Sequence, residues 1–193
     1  MTGLFWWYLA RAAGIVAWAL LVAGVVWGVL LSTRVLRPHD RPAWLLDLHR
    51  WLAGLAVAMV ALHVGALVAD SFVHFGPADV LVPLASGWHP VAVAFGVVAA
   101  YGLVAVQATS LAMRRMPRRA WRAVHLTSYG TVWLVSVHAG LAGSDAINPV
   151  YRAVALVLVV AATGAGVTRL LARRRPPHRP ASPPRPRTLT PTR

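Results

Sequence analysis

Three residue types are missing from this 193-residue chain, namely cysteine, lysine and glutamate. Without cysteine the chain has no disulfide, no thiolate metal site and no cysteine nucleophile. Histidine is then the strongest remaining ligand for borderline metals, and the chain has 8 histidines. All 5 acidic residues are aspartate and all 19 basic residues are arginine, which gives a net charge of +14.

Charged residues of any kind are scarce, at 12% of the chain, whereas 58% of residues are hydrophobic and the mean hydropathy is +0.62. A soluble domain of this size could not bury so much apolar surface, so the composition indicates an integral membrane protein. A strongly basic balance is also typical of nucleic-acid binding. Here, however, the arginines cluster between apolar runs and at the C-terminus. We therefore expect the lipid bilayer as a partner and no nucleic acid.

Five apolar segments are each close to the roughly 20 residues that cross a bilayer. They run from Leu4 to Leu31, Trp44 to Val68, Pro90 to Met113, Arg122 to Leu141 and Val150 to Leu171. The predicted fold class is therefore all-α, an integral membrane bundle of five transmembrane helices. A shorter apolar piece, Ala78 to Ala85, contains Pro83 and is predicted to be a short interfacial or re-entrant segment.

The arginines predict how the chain is oriented. They cluster after the first, third and fifth segments, whereas the loops 70–89 and 143–149 contain aspartate and no arginine. By the positive-inside rule, the N-terminus is outside and the C-terminus is cytoplasmic, in a bacterial cytoplasmic membrane. We assign residues 1–172 to one membrane domain. Residues 173–193, rich in arginine and proline, are predicted to form a disordered cytoplasmic tail.

Four histidines form a regular pattern on two of the predicted spans. His49 and His63 lie fourteen residues apart on the second span, and His125 and His138 lie thirteen apart on the fourth. Because these two spans run in the same direction, His49 and His125 share a depth near the cytoplasmic face. His63 and His138 share a depth near the outer face. Each pair is placed to clamp one haem iron from opposite sides.

The spacing on the fourth span predicts an irregular helix. Fourteen residues rise about 21 Å and return to within about 40° of the same helix face. Thirteen residues leave a mismatch of about 140°, which a straight helix does not absorb. We therefore predict a kink, a π-bulge or a tightened turn between His125 and His138, near Ser128, Gly130 and Thr131.

Other uses of these histidines are a different metal, a proton path or hydrogen bonds between helices. Ionisable side chains inside a bilayer usually mark a functional site, and pairing by depth favours haem. Two further histidines, His74 and His89, lie in the outer loop. They are either ordinary loop residues or contacts for a redox partner, a quinone head group or a metal.

Several other residues are candidates for contact with a cofactor. Arg11 lies at the depth of the outer pair, where it either binds a haem propionate or extends to the interface. Arg50 and Arg122 flank the inner pair and are candidates for the inner propionates, although the positive-inside pattern also explains them. Trp133 lies between the two depths and is a candidate to fill the space between the haems.

Glycines recur at matching positions on the two histidine-bearing spans. Gly54 and Gly130 each follow the first histidine of their span by five residues, and Gly65 and Gly140 follow the second by two. They are explained either by close helix packing through small residues or by the room that a porphyrin needs.

The chain resembles the ferric reductase-like transmembrane domain family, which includes the membrane parts of ferric reductases and NADPH oxidases. The haem subunit of the bacterial periplasmic methionine sulfoxide reductase system belongs to the same group. The likeness covers roughly residues 5–171 and rests on the two histidine spacings and on several short motifs. These motifs are Leu48-His49-Arg50, Thr109-Ser110 before Arg114-Arg115, Trp121-x3-His125 and His138-Ala139-Gly140-Leu141. The resemblance implies a membrane cytochrome b with two b-type haems, ligated by the four paired histidines.

Departures from the family affect the expected donor. There is no G-x-G-x-x-G motif, and the chain has one predicted span fewer than many relatives. We therefore expect an oxidoreductase subunit that carries no nucleotide or flavin domain and takes electrons from a separate flavoprotein or a quinone. The acceptor lies on the outer side. The alternatives are a membrane metal or proton transporter and a haem-free assembly subunit.

Overall fold

The computed structural model describes residues 2–33, 43–71, 73–143, 145 and 147–173. The predicted tail beyond residue 173 and the arginines that follow the first span therefore lie outside the described residues. The helices are α1 (Thr2–Thr33), α2 (Ala43–Ala69), α3 (Pro77–Leu81), α4 (Pro90–Leu111), α5 (Arg118–Leu126), α6 (Ser128–Ala142) and α7 (Pro149–Arg173). A short 3-10 helix, Met113–Arg115, follows α4. No strand occurs in these ranges, which confirms the all-α prediction.

Four of the helices, α1, α2, α4 and α7, are long and apolar enough to cross a membrane. The protein is therefore a multi-pass membrane protein in contact with lipid. The remaining predicted span, the fourth, is divided into α5 with 9 residues and α6 with 15 residues. The described residues thus contain four candidate spans, and a fifth span stays a prediction.

The interruption between α5 and α6 lies at Thr127. Its backbone N–H donates to the carbonyl of Val124 over 3.0 Å, and its hydroxyl donates to the same carbonyl over 2.7 Å. Bonding to the residue three positions earlier tightens the turn relative to an α-helix. The predicted irregularity between His125 and His138 is confirmed, one residue before Ser128.

The helices pack as two antiparallel pairs. The α1 helix packs most extensively against α2, and α4 packs against α6. Contacts of α1 with α6 and α7 join the two pairs around a core of Trp18, Val22, Val132 and Ala162. In contrast, the described parts of α2 and α6 have few close backbone contacts with each other. The two helices are therefore separated by a gap that is lined by side chains, and we call this gap the slot.

The two ends of the bundle differ in charge. We call the end with Asp70, Asp79 and Asp145 the acidic end, where α2 and α6 finish and α4 and α7 begin. The opposite end, where α5 begins, carries a group of exposed arginines and is called the basic end. Its arginines are Arg114, Arg115, Arg118, Arg119 and Arg122.

The predicted short segment in the loop 70–89 contains helix α3. Pro77 begins this helix, as proline does when no N–H is needed. Before α3, Phe75 is buried against Val93 and Val97 of α4. At its last residue, the Leu81 carbonyl accepts from the Tyr101 hydroxyl. The segment therefore lies back along α4, and its position relative to the lipid stays a prediction.

Gly102 on α4 generates a test of the packing between α4 and α6. A Cβ at this position would lie 2.5 Å from the Thr131 hydroxyl oxygen, and Thr131 is buried. We expect Gly102→Ala to lower the free energy of unfolding by about 1–3 kcal/mol through overpacking. Gly65→Ala is the control, because a Cβ there meets nothing within 4 Å. It should be neutral or stabilising by up to about 1 kcal/mol. Thermal unfolding in detergent, followed by circular dichroism, measures both variants, and equal destabilisation would contradict the packing.

Candidate functional site

The four histidines meet in the predicted pairs, His63 of α2 with His138 of α6 and His49 of α2 with His125 of α5. The rings of His49 and His125 face each other with centroids 6.1 Å apart and an interplanar angle of 67°. The rings of His63 and His138 have centroids 6.4 Å apart at 80°. We call these the basic-end pair and the acidic-end pair. On α2 the two depths are separated by a rise of about 21 Å.

The separation of the rings within each pair is chemically informative. The atoms of an imidazole lie about 1.1 Å from its centre, so no atoms of two rings with centroids 6.1 Å apart come closer than about 3.9 Å, too far for a direct hydrogen bond. A metal bound by two opposed imidazoles at about 2.0–2.1 Å places their centroids about 6.3 Å apart. Both observed separations match this value.

The acidic-end pair is held by backbone carbonyls of α1 and α4. The Nδ1 atom of His63 lies 2.7 Å from the carbonyl oxygen of Ala10 in α1, and that of His138 lies 2.8 Å from the carbonyl oxygen of Ala92 in α4. Because a carbonyl only accepts, Nδ1 carries the proton in both neutral rings. Each Nε2 is then left with a lone pair for a metal.

Two glycines make this approach possible. A Cβ on Gly14 would lie 2.9 Å from Nδ1 of His63, and a Cβ on Gly96 would lie 2.9 Å from Nδ1 of His138. In each case the carbonyl partner stands four residues before the glycine. The imidazole therefore lies where a side chain would otherwise project, and we call such a position a ring seat.

The basic-end pair is held differently. Gly28 is the ring seat of His49, with a Cβ–Cε1 separation of 3.4 Å. The Gly24 carbonyl, four residues earlier, lies near this ring. The carbonyl and the ring are not placed for a hydrogen bond. Nδ1 of His49 is therefore buried without a partner among the described residues.

His125 contacts two side chains. The Ser110 hydroxyl oxygen lies 3.4 Å from its Nδ1 atom, which makes this a long hydrogen bond. The Trp121 ring stacks on the imidazole with centroids 5.0 Å apart at 26°. The indole Nε1 of Trp121 is buried and has no hydrogen-bond partner in the described ranges.

The ring seats repeat with the spacing of the histidines. Gly14 and Gly28 are fourteen residues apart on α1. Fourteen residues after Gly96 on α4 stands Ser110, which carries a side chain and contacts His125, and we count it as the fourth seat. Sequence reasoning missed these positions, although the shared spacing was a signal that could have revealed them. The glycines it selected instead are all exposed, and a Cβ on any of them meets nothing within 4 Å. They are Gly54, Gly65, Gly130 and Gly140. Close helix packing at these four positions is therefore wrong.

A cavity of about 250 Å³ opens beside the acidic-end pair. Both histidines line it, together with mainly apolar side chains that include Trp18 and Phe75. The indole N–H of Trp18 donates to the Ser136 hydroxyl over 3.0 Å, so this buried tryptophan is satisfied within the bundle. Largely apolar cavities with a few convergent polar groups are typical of cofactor sites.

Arg11 lines the cavity but has a partner that neither sequence interpretation considered. Its Nε donates to an Asp145 carboxylate oxygen over 2.9 Å, and a second guanidinium nitrogen contacts the other oxygen. The guanidinium also lies 4.0 Å from the centre of the Trp7 ring. The two opposite charges of this partly buried pair neutralise each other, and the pair connects α1 to the loop between α6 and α7. A role for Arg11 in binding a propionate stays a prediction.

The other predicted contact residues are exposed. Arg50 forms an exposed ion pair with Asp47 at 3.1 Å, and Arg122 is exposed on α5. Trp133 is 45% exposed on α6. Their cofactor contacts therefore stay predictions. His74 and His89 are exposed loop residues with left-handed backbone, at φ 55° and 43°.

The donor set fits haem better than a free metal ion. Each pair offers two imidazoles at a separation that suits one iron, the arrangement of haems that transfer electrons. The described residues contain no group of three or more histidine or aspartate side chains that would enclose an ion. At the basic end, the buried Trp121 N–H lacks an acceptor, which a propionate would provide.

The Arg11–Asp145 pair generates a test of how the acidic end is held. In a double-mutant cycle with Arg11→Gln and Asp145→Asn, we expect a coupling free energy on the order of 1 kcal/mol, because the pair is two-point and partly buried. The matched control is Arg50→Gln with Asp47→Asn, whose side chains are 64% and 55% exposed. Thermal unfolding in detergent measures both cycles. Coupling in the control equal to that of the first pair would contradict the assignment.

Comparison with known proteins places the chain in a family. Residues 13–137 match the family model described as ferric reductase like transmembrane component. This match covers more than half of the chain, includes three of the four paired histidines and ends one residue before His138. A search of curated proteins and of solved structures gave no match. Membership of this family indicates electron transfer in a membrane. The chain belongs to the ferric reductase-like transmembrane family.

Proposed function

We propose that this protein is a transmembrane cytochrome b in which two b-type haems are each held by two histidines. His63 and His138 would hold one haem at the acidic end, and His49 and His125 would hold the other at the basic end. The observation that carries this proposal is the separation of 6.1 Å and 6.4 Å within the two pairs, which suits one iron between each pair of rings.

The chain's own residues prepare the ligands. The carbonyls of Ala10 and Ala92 fix the proton on Nδ1, so that Nε2 is available for iron and is made more basic. The Gly14 and Gly96 seats let the rings approach closely enough for those bonds. The mainly apolar lining of the cavity beside the acidic-end pair would limit the access of water to that site. When bound, each haem supplies an iron that accepts and donates one electron.

We also propose that α5 and α6 together form a fifth crossing. The twenty residues 123–142 contain no aspartate or arginine and would rise about 30 Å, the thickness of a bilayer core. An odd number of crossings places the chain termini on opposite sides. The arginines of the basic end then lie in the cytoplasm, and the acidic end lies outside, in a bacterial cytoplasmic membrane.

This orientation gives the direction of electron flow. Electrons enter at the basic end from a cytoplasmic flavoprotein, or from a membrane quinol, and leave at the acidic end for an acceptor outside. The positive surface of the basic end suits an acidic partner. A metal or proton transporter and a haem-free assembly subunit remain the alternatives, and both predict a purified protein without haem.

Histidine variants test the haem assignment. We expect the purified protein to contain two haems, with a sharp α-band on reduction. His63→Ala, His138→Ala, His49→Ala and His125→Ala should each lose about half of that absorption, because each removes one axial ligand from one pair. His74→Ala and His89→Ala are the matched controls and should keep both haems. The pyridine haemochrome assay counts haem per polypeptide. A haem-free wild type, or full absorption in all four ligand variants, would overturn the proposal.

The absence of cysteine allows a direct test of orientation, since any introduced cysteine is unique. Ile147→Cys places a thiol at the acidic end, where Ile147 is 90% exposed, and Ala120→Cys places one on α5. A membrane-impermeant maleimide should label Ile147→Cys in intact cells and Ala120→Cys only after permeabilisation. The unsubstituted chain controls for background labelling. Labelling of both cysteines from the same side would show that α5 and α6 do not cross.

A further inference from the structure

Three of the four ring seats are glycine, and the fourth is Ser110. Gly14 and Gly28 serve the histidines of α2, and Gly96 serves His138. By the fourteen-residue spacing, Ser110 occupies the position on α4 that corresponds to Gly96. It is therefore the one seat in this set that carries a side chain.

A side chain at the seat changes how the ring is held. At Gly14 and Gly96 a Cβ would stand 2.9 Å from the imidazole, closer than such contacts allow. His125 therefore cannot approach α4 as closely as His138 does. The carbonyl corresponding to that of Ala92 belongs to Val106, four residues before Ser110. Among the described residues, the partner found at Nδ1 of His125 is instead the Ser110 hydroxyl at 3.4 Å.

We propose that Ser110 is a positioning residue that replaces the backbone carbonyl as the acceptor for His125, and so sets the properties of the basic-end haem separately from the acidic-end haem. This inference rests on the proposed function. The hydroxyl keeps the proton of His125 on Nδ1 and leaves Nε2 for iron. Stacked Trp121 limits rotation of the ring on another side.

The strength of the hydrogen bond at Nδ1 of His125 affects the reduction potential of the basic-end haem. A carbonyl accepts the Nδ1 proton of His138 at 2.8 Å, whereas the proposed acceptor for His125, the Ser110 hydroxyl, lies at 3.4 Å, a weaker interaction. A ligand whose Nδ1–H donates more strongly is more basic and favours ferric iron. Removing the acceptor at His125 should therefore raise the potential of the basic-end haem, and strengthening it should lower that potential.

Three substitutions at Ser110 separate this role from simple packing. Ser110→Ala keeps the Cβ and removes the acceptor, so it should raise the potential of one haem and weaken binding of that haem about 10-fold. Ser110→Thr retains a hydroxyl and should restore the wild-type potential. Ser110→Gly removes the Cβ, so that His125 can approach α4 and compete with the Thr109 hydroxyl for the Val106 carbonyl, and it should lower the potential.

The measurement is a redox titration of the reduced α-band in the purified protein, with haem counted in each variant. The basic-end component is identified as the one that is lost in His125→Ala. The acidic-end component should keep its potential in all three variants, which also shows that they are folded. Equal potentials for Ser110→Ala, Ser110→Gly and the wild type, with both haems present, would refute the role of Ser110 and leave the proposed function intact. A wild type without haem would instead refute the proposed function.

Discussion

The contact between an imidazole ring and the backbone of a neighbouring helix determines the arrangement of this bundle. A buried imidazole N–H without an acceptor is destabilising by about 1–3 kcal/mol, and in a membrane no water is at hand to satisfy it. Helical carbonyls are already bonded within the helix, but each keeps a second lone pair. His63 and His138 reach such carbonyls only because Gly14 and Gly96 carry no Cβ.

This contact explains why the helices pair as they do. Two ligands fourteen residues apart on α2 require two open positions fourteen residues apart on the helix beside it, and α1 provides Gly14 and Gly28. Antiparallel packing of α1 with α2, and of α4 with α5 and α6, matches each ring to its seat. Since each histidine-bearing helix packs against its own partner, α2 and α6 are left facing each other across the slot. The opening between the rings thus follows from where the glycines stand.

Much of this arrangement could be predicted from the sequence, because hydropathy and histidine spacing are local patterns. They gave the helical class, the two pairs and the irregular turn near Ser128. The ring seats were missed because a glycine in an apolar helix is ambiguous until its neighbour is known, and Gly54 and Gly65 looked equally suitable. The partner of Arg11 was missed for a related reason. Asp145 lies 134 residues away, and only the packing of α1 beside the loop after α6 brings them together.

The turn at Thr127 and the serine at position 110 are both related to the thirteen-residue spacing of His125 and His138. On α1, α2 and α4 the relevant positions are fourteen residues apart, but His125 and His138 are thirteen apart, so a continuous helix would aim them about 140° from each other. The tightened turn re-aims α5 and brings His125 back to the face of α4. His125 is carried on this separate nine-residue helix, whereas His138 lies within α6. A side-chain acceptor adjusts through its own rotamer, whereas a backbone carbonyl is fixed. The serine therefore stands at the seat where the ligand helix is interrupted, and glycines stand where the ligand helices are continuous.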